Sequence, residues 1–191
     1  MLRAVLDACT LVPSLQRDFL LQIASEGAYA PLWGTGILTE LDYTLAKYLE
    51  RQGISDNTER RSHLFTQMRR AFPGAEVDAP KDRVYDYRLR DAEDGHVAHA
   101  ALVGEADAIV TDDSRAGFTS APALIAADIE SLRPNHFRAD PQGCVRALVA
   151  ISSRRSNPPQ SPEQILDLLV ARYAMTDLAT VLRPLVAEVS S

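Results

Sequence analysis

The sequence predicts an α/β fold with a mostly parallel sheet and helices on both faces. Three observations carry this. Short apolar segments suited to strands alternate with longer segments of helical period over the first 140 residues. Acids stand directly after two of the apolar segments, at Asp7 and at Asp112-Asp113. From about residue 141 the alternation stops and only helical periodicity remains.

Residues 2–6 (Leu-Arg-Ala-Val-Leu) read as a short buried strand ending on Asp7. Residues 13–27 read as a helix: Pro13 suits a first turn, Leu15, Phe19 and Ile23 recur every four residues, and Gly27 ends the run. Residues 28–33 form a second strand. Thr35 then caps a helix with Ile37, Leu38, Leu41, Leu45 and Leu49 on one face. A polar helix fills 56–72 and stops at Pro73-Gly74. Residues 91–103 make an amphipathic helix with Val97, Ala98, Ala101 and Leu102 inward. Ala108-Ile109-Val110 is a strand running into Thr111-Asp112-Asp113, and 123–126 reads as the last strand. Residues 141–151 are helical. Residues 152–161 (Ser-Ser-Arg-Arg-Ser-Asn-Pro-Pro-Gln-Ser) read as a linker, and two helices follow over 162–173 and 176–189, the second containing Pro184. The expected division is a domain over 1–140 and a helical extension over 141–191.

Composition narrows the class. The chain has 191 residues, 46% hydrophobic and 24% charged, the mix of a globular protein. No apolar run reaches the ~20 residues that span a bilayer. Asp7 falls where a secretory signal would still be apolar, so no such segment is expected. Cys9 and Cys144 fit neither a metal spacing nor a disulfide framework, and a reducing cytoplasm is the expected setting. Net charge is −6, from 20 basic and 26 acidic side chains, opposite in sign to a general nucleic-acid binder. Residues 1–140 carry net −7 and residues 141–191 net +1. The acids either form a solvated face or gather around a cation.

In an open parallel sheet, ligands bind beyond the carboxyl ends of the strands. Asp7 and Asp112-Asp113 have that address. Glu40 and Asp94 lie one turn from the apolar faces of their helices. Each has a plain structural reading: Asp7 as a strand end or cap, Glu40 as a helix-surface residue, Asp91 and Asp94 as a capping box, and Asp112-Asp113 as a turn. Together they would converge on one edge of one sheet. Carboxylates about 4 Å apart repel by roughly 4 kcal/mol at an effective dielectric of about 20, so such a cluster needs protons or a cation. All-oxygen ligation selects Mg²⁺ or Mn²⁺, which suit phosphate-ester hydrolysis.

These residues occur in recognisable runs: Val5-Leu6-Asp7-Ala8-Cys9; Trp33 through Glu40; Asp91-Ala92-Glu93-Asp94-Gly95-His96-Val97 with Ala100-Ala101; and Ala106 through Asp113. The ordered set resembles the PIN domain, most closely its VapC-type toxin branch, over about residues 2–140. The resemblance implies a three-layer α/β/α sandwich on a five-stranded parallel sheet. It implies a Mg²⁺/Mn²⁺-dependent endoribonuclease, with catalytic and metal-binding roles for Asp7, Glu40, Asp94 and Asp113. Thr111, Asp112, Asp91 and His96 would support them. It also implies an RNA substrate, a cognate antitoxin and a homodimer. There are departures: Ala8-Cys9 replaces a frequent Thr-Asn, removing a polar group beside the first acid. Asp112 replaces a frequent Asn, leaving Asp112 and Asp113 both open as the fourth acid. Asp113 is the motif match, with Thr111 facing the same way, its hydroxyl able to hold that carboxylate, and Asp112 orienting the loop. Residues 141–191 exceed a minimal domain and look like the helical extension of longer relatives.

His96 and His99, three apart, have a metal-binding spacing but no third ligand. Ser114 beside Arg115 could touch phosphate. Arg60-Arg61, Arg69-Arg70, Arg88, Arg90 and Arg154-Arg155 either track an RNA backbone or cover solvated helix faces. Trp33, Tyr43 and Tyr48 are expected to pack. Two other functions stay open: a phosphohydrolase using Asp7 as covalent nucleophile, and a non-catalytic binding module on the same fold.

Overall fold

The computed structural model describes residues 1–137 and 139–189; the last two residues of the expected extension lie outside the described residues. Its centre is a five-stranded sheet in the order β3-β2-β1-β4-β5, with every pairing parallel. The strands are β1 (Arg3–Leu6), β2 (Ala30–Gly34), β3 (Glu76–Val77), β4 (Ala108–Val110) and β5 (Glu130–Leu132). Parallel neighbours need crossovers, and helices supply them. Helices α1 (Ala8–Leu11) and α2 (Ser14–Ser25) lead from β1 to β2, and α3 (Thr35–Arg51) and α4 (Thr58–Ala71) lead from β2 to β3. A long loop, a 3₁₀ turn at Ala92–Asp94 and α5 (Gly95–Val103) lead to β4, and the short α6 (Pro122–Ala126) to β5. The α/β/α sandwich with a parallel sheet is therefore the fold.

Burial explains why these short strands hold. Ala4, Val5, Leu6, Ile109 and Val110 are at most marginally exposed, and Val5 faces Ile109 in register. In α5, Val97, Ala98, Ala100 and Ala101 are buried, and their small size lets the helix lie close to β1, β2 and β4.

Some boundaries differ from expectation for identifiable reasons. Residues 122–126 are helical, not a strand: Pro122 occupies the first turn, and Ile125 N–H bonds to Ala121 O at 3.1 Å. The fifth strand follows at Glu130–Leu132, pairing Ile109 with Ser131. Gly34, not Thr35, occupies the cap position of α3. The Thr35 hydroxyl instead accepts the Ala79 N–H at 3.1 Å, pinning the loop after β3. Tyr43 and Tyr48 are exposed rather than packed, and Lys47 lies over the Tyr43 ring at 4.0 Å.

The chain ends in α7 (Pro141–Arg154), α8 (Pro162–Tyr173) and α9 (Thr176–Val189). Helix α7 lies along α2 and buries Cys144, Leu148 and Ile151, while α8 and α9 pack on α7 through Ile165, Leu169, Leu182 and Val186. Ser161 opens α8 with a capping box: its hydroxyl accepts the Gln164 N–H, and the Gln164 side chain accepts the Ser161 N–H at 2.9 Å. The connection from α7 to α8 is largely exposed and is tied by the Ser152 hydroxyl to Gln160 O at 2.7 Å and by Arg155 to the Gln160 side chain at 2.9 Å. Limited proteolysis is therefore expected to cut within 155–161. The two pieces should co-elute on gel filtration under native conditions, because the apolar faces of α8 and α9 remain on α7; separation without denaturant would contradict this packing.

Candidate active site

Strand order reverses between β1 and β4, and this leaves a crevice beyond their carboxyl ends. Asp7, the first residue after β1, is tied across that junction by its own N–H, which bonds to Val110 O at 3.1 Å. The residue is only 8% exposed. Asp7 Oδ2 accepts the Thr111 hydroxyl at 2.6 Å and the Cys9 thiol at 3.1 Å. Burial pushes the Asp7 pKa above the ordinary value, and these two donors oppose the rise. Burial, reinforced by Asp7, pushes the Cys9 thiol up to about 12, so it remains a donor. The polar group expected to be missing beside the first acid is thus supplied by sulfur.

Thr111 is buried, and its hydroxyl is spent on Asp7 rather than on the Asp113 carboxylate; it also accepts the Asp113 N–H at 2.9 Å. The turn is closed by Asp113, not by Asp112: Asp113 Oδ1 accepts the Arg115 N–H at 2.7 Å. Asp112 donates its N–H to Cys9 Sγ at 3.4 Å. Burial raises the Asp112 pKa, and Arg133 and Gln16 oppose that rise. The two neighbouring acids therefore answer to different surroundings.

Asp94 ends the 3₁₀ turn that leads into α5. Asp91 caps this turn, accepting the Glu93 N–H at 3.0 Å. Asp94 does not complete a capping box; its Oδ2 is buried with no hydrogen-bond partner among the described residues. Burial first, then the negative charges of Asp7, Asp91, Asp113 and Glu40, raise its carboxyl to about 6. One side chain thus registers all three other candidate acids.

Glu40 has the opposite environment. It projects from α3, with Oε2 3.1 Å from Lys81 Nζ and 3.5 Å from His96 Nε2. The His96 imidazole, then Lys81, holds the Glu40 carboxyl down at about 2. His96 is 1% exposed, and its Nδ1 lies 2.9 Å from Glu93 O. That carbonyl can only accept, so Nδ1 donates to it, and Nε2 is turned to Glu40, whose charge it favours when it too carries a proton. His99 is engaged elsewhere: its Nδ1 is 2.7 Å from the Tyr87 hydroxyl, and its ring lies 4.5 Å from that of Tyr85. The two histidines do not form a ligand pair.

Lys81 was not singled out from sequence. It reaches Glu40 from a loop 41 residues away, and the one local trace is Gly36. A Cβ there would lie 2.7 Å from Ala79 O, 2.7 Å from His96 Cδ2 and 2.8 Å from Lys81 N. Only glycine lets the first turn of α3 approach this loop.

Among the basic clusters, Arg61 pairs with Asp42, Arg69 with Glu76 at 2.7 Å, and Arg154 with Asp18 at 3.1 Å. Trp33 is fully buried, edge-on to Phe72.

A hard divalent cation fits these donors. The candidate acids present oxygen only, Asp94 Oδ2 has no donor to satisfy it, and their mutual repulsion is what a cation relieves. Among the described residues no three His, Cys, Asp or Glu side chains form a ready-made cage. Mg²⁺ does not need one: it keeps several waters and takes one or two carboxylates, unlike a structural zinc site.

Residues 3–115 match the PIN domain family. The chain belongs to that family. PIN domains are in general metal-dependent nucleases, and the matched span includes Asp7, Glu40, Asp94 and Asp113. No curated protein and no solved structure gives a significant match to the chain. Among the described residues no helix is long and apolar enough to cross a membrane.

The raised Asp94 pKa in this PIN domain has a consequence for the metal-free protein. Below pH ~4 folded and unfolded chains both hold the proton; between ~4 and ~6 only the folded chain does, so stability falls as pH rises through that window. Asp94→Asn should remove this fall and raise metal-free stability at pH 7 by about 1 kcal/mol, after allowance for water on its exposed side. Urea unfolding in EDTA at pH 5 and pH 7 measures it; an equal loss of stability at both pH values would contradict the account.

Proposed function

We propose that this PIN domain is a Mg²⁺- or Mn²⁺-dependent endoribonuclease and the toxin of a VapC-type toxin–antitoxin pair. The observation that carries the reading is the Asp94 carboxyl, raised to about 6 by burial and by Asp7, Asp113 and Glu40, acids from separate parts of the chain converging on one crevice. Asp7, Glu40, Asp94 and Asp113 are the proposed metal-binding and catalytic acids. A divalent ion bound there would polarise the scissile phosphoryl group and lower the pKa of an attacking water.

The chain's own residues have distinct proposed tasks. Thr111 and Cys9 fix the orientation of Asp7, and both leave Oδ1 of that carboxylate free of their hydrogen bonds. His96 and Lys81 keep Glu40 ionised. Asp94, which burial and its neighbours' negative charge make hold a proton more tightly than an ordinary carboxylate, gives that proton up when positive charge enters the crevice. Asp113 is among the charges that raise Asp94, while Asp112 answers to Arg133 and Gln16 as well as to Asp7, which supports Asp113 as the fourth acid.

The antitoxin is proposed to cover the crevice with an arginine directed at the carboxylates, the pairing that a cluster of this sign favours. The protein is proposed to act as a cytoplasmic two-fold homodimer. Residues 141–191 are proposed as an addition to the nuclease domain of 1–140.

Single-turnover cleavage of single-stranded RNA should require Mg²⁺ or Mn²⁺ and stop with EDTA. Asp113→Asn should slow it at least tenfold, about 1.4 kcal/mol of transition-state stabilisation. Asp112→Asn should slow it less. Cleavage unaffected by EDTA would remove the metal-dependent reading, and a more damaging Asp112→Asn would move the fourth acid by one position.

A further inference from the structure

A second feature adjoins the acids. Beyond the ends of β4 and β5 lies a cavity of about 170 Å³, lined in part by Asp113, Ser114, Gly117, Thr119, Ser131 and Arg133. Its chemistry differs from that of the crevice. Ser114, Thr119 and Ser131 contribute three hydroxyls, and Arg133 an exposed guanidinium. Among the described residues none of these hydroxyls makes a hydrogen bond, and Arg133 makes no ion pair. Arg133 acts electrostatically on Asp112, which is part of the same wall.

A second arginine is brought to the edge. Gly117 has φ +85°, and a Cβ there would lie 3.0 Å from both the backbone N and the Cβ of Arg90. The segment carrying exposed Arg90 is thereby fixed against the cavity wall, tied also by its N–H to Ala116 O at 3.0 Å. Among the described residues neither Arg90 nor Arg133 forms an ion pair with a carboxylate, in contrast to Arg61, Arg69 and Arg154.

Unspent hydroxyls in one cavity with the guanidinium of Arg133 are suited to a group that carries both hydroxyl or amide edges and a phosphate. The cavity is sized for one small unit, not for a helix. A nucleotide can enter it only when unstacked and unpaired, which is cheap in a single strand and costs a few kcal/mol in a duplex.

We propose that this cavity receives one nucleotide of single-stranded RNA, next to the bond held at Asp113, with its phosphate on Arg133 and its ribose or base edge on Ser114, Thr119 and Ser131. The proposal rests on the ribonuclease reading above. It explains how a chain of net charge −6 recognises a polyanion: the cation contacts are local and lie beside the acids, not spread over the surface.

The test uses the full-length chain in EDTA, so that the RNA is bound and not cut. The probe is a fluorescein-labelled single-stranded heptaribonucleotide of mixed sequence, followed by anisotropy across a salt series. Arg133→Ala should weaken binding about tenfold and reduce the slope of log K against log salt by about 0.7, the value for one phosphate contact on a single strand. Arg133→Lys should restore the slope. Thr119→Val should weaken binding about threefold with the slope unchanged. Arg172→Ala, a change on α8 outside the cavity, should alter neither. In Mn²⁺, Arg133→Ala and Thr119→Val should raise KM more than they lower kcat. If the wild-type chain binds and cuts RNA while both variants match it, the cavity holds no nucleotide and the nuclease reading stands. Equal affinity for a duplex of the same sequence would overturn the single-strand proposal. If the wild-type chain neither binds nor cuts RNA, the ribonuclease reading falls and takes this proposal with it.

Discussion

Everything at the candidate site depends on β1 lying directly beside β4. These two strands are separated by about a hundred residues of chain, yet Leu6 and Val110 are register partners. That pairing delivers Asp7 and Thr111 to adjacent strand ends, where a 2.6 Å hydrogen bond joins them. The crossovers decide the rest. Because the chain winds outward to β3 before returning to β4, α3 and the loop after β3 carry Glu40 and Lys81 to the same edge, and α5 enters with Asp94 at its head. A sheet of the same strands in sequential order would have no such reversal and no crevice.

The electrostatics of the crevice are uneven by construction. Glu40 is held at about 2 by two nitrogen groups, whereas Asp94 is raised to about 6 by burial and by carboxylates. Neighbouring acids pushed in opposite directions are a recurrent arrangement where chemistry is done. Here the division follows from which element each acid leaves. Glu40 emerges where α3 meets Lys81 and His96; Asp94 emerges where a 3₁₀ turn aims it inward.

The architecture was legible because apolar strands, helical periods and strand-end acids all agreed. The parallel sheet and most helices follow from local pattern. The failures have local causes too. Residues 123–126 are apolar enough for either state, and Pro122 settled them as helix. Tyr43 and Tyr48 were expected inside on the strength of their type, but α3 buries Leu41 and Leu45 and turns the tyrosines outward. At the site, the acids were visible as residues at strand ends and helix faces. Their partners were not. Cys9 as a donor to Asp7, and Lys81 as a partner of Glu40, depend on contacts that no spacing in the sequence encodes. Thr111 was marked as a helper, but its choice of Asp7 over the Asp113 carboxylate is a matter of side-chain direction at a strand end.

Gly36 extends the set of positions at which the protein can be silenced. Any side chain there collides with Ala79 O, Lys81 N and the His96 ring, so the first turn of α3 and the loop must part. Glu40 would then lose both of its nitrogen neighbours at once, with all four acids still in place. The mutational target of the site is therefore larger than its chemistry. A screen for inactive variants would recover substitutions at a glycine that touches no substrate, and a catalogue of reactive groups alone would not account for them.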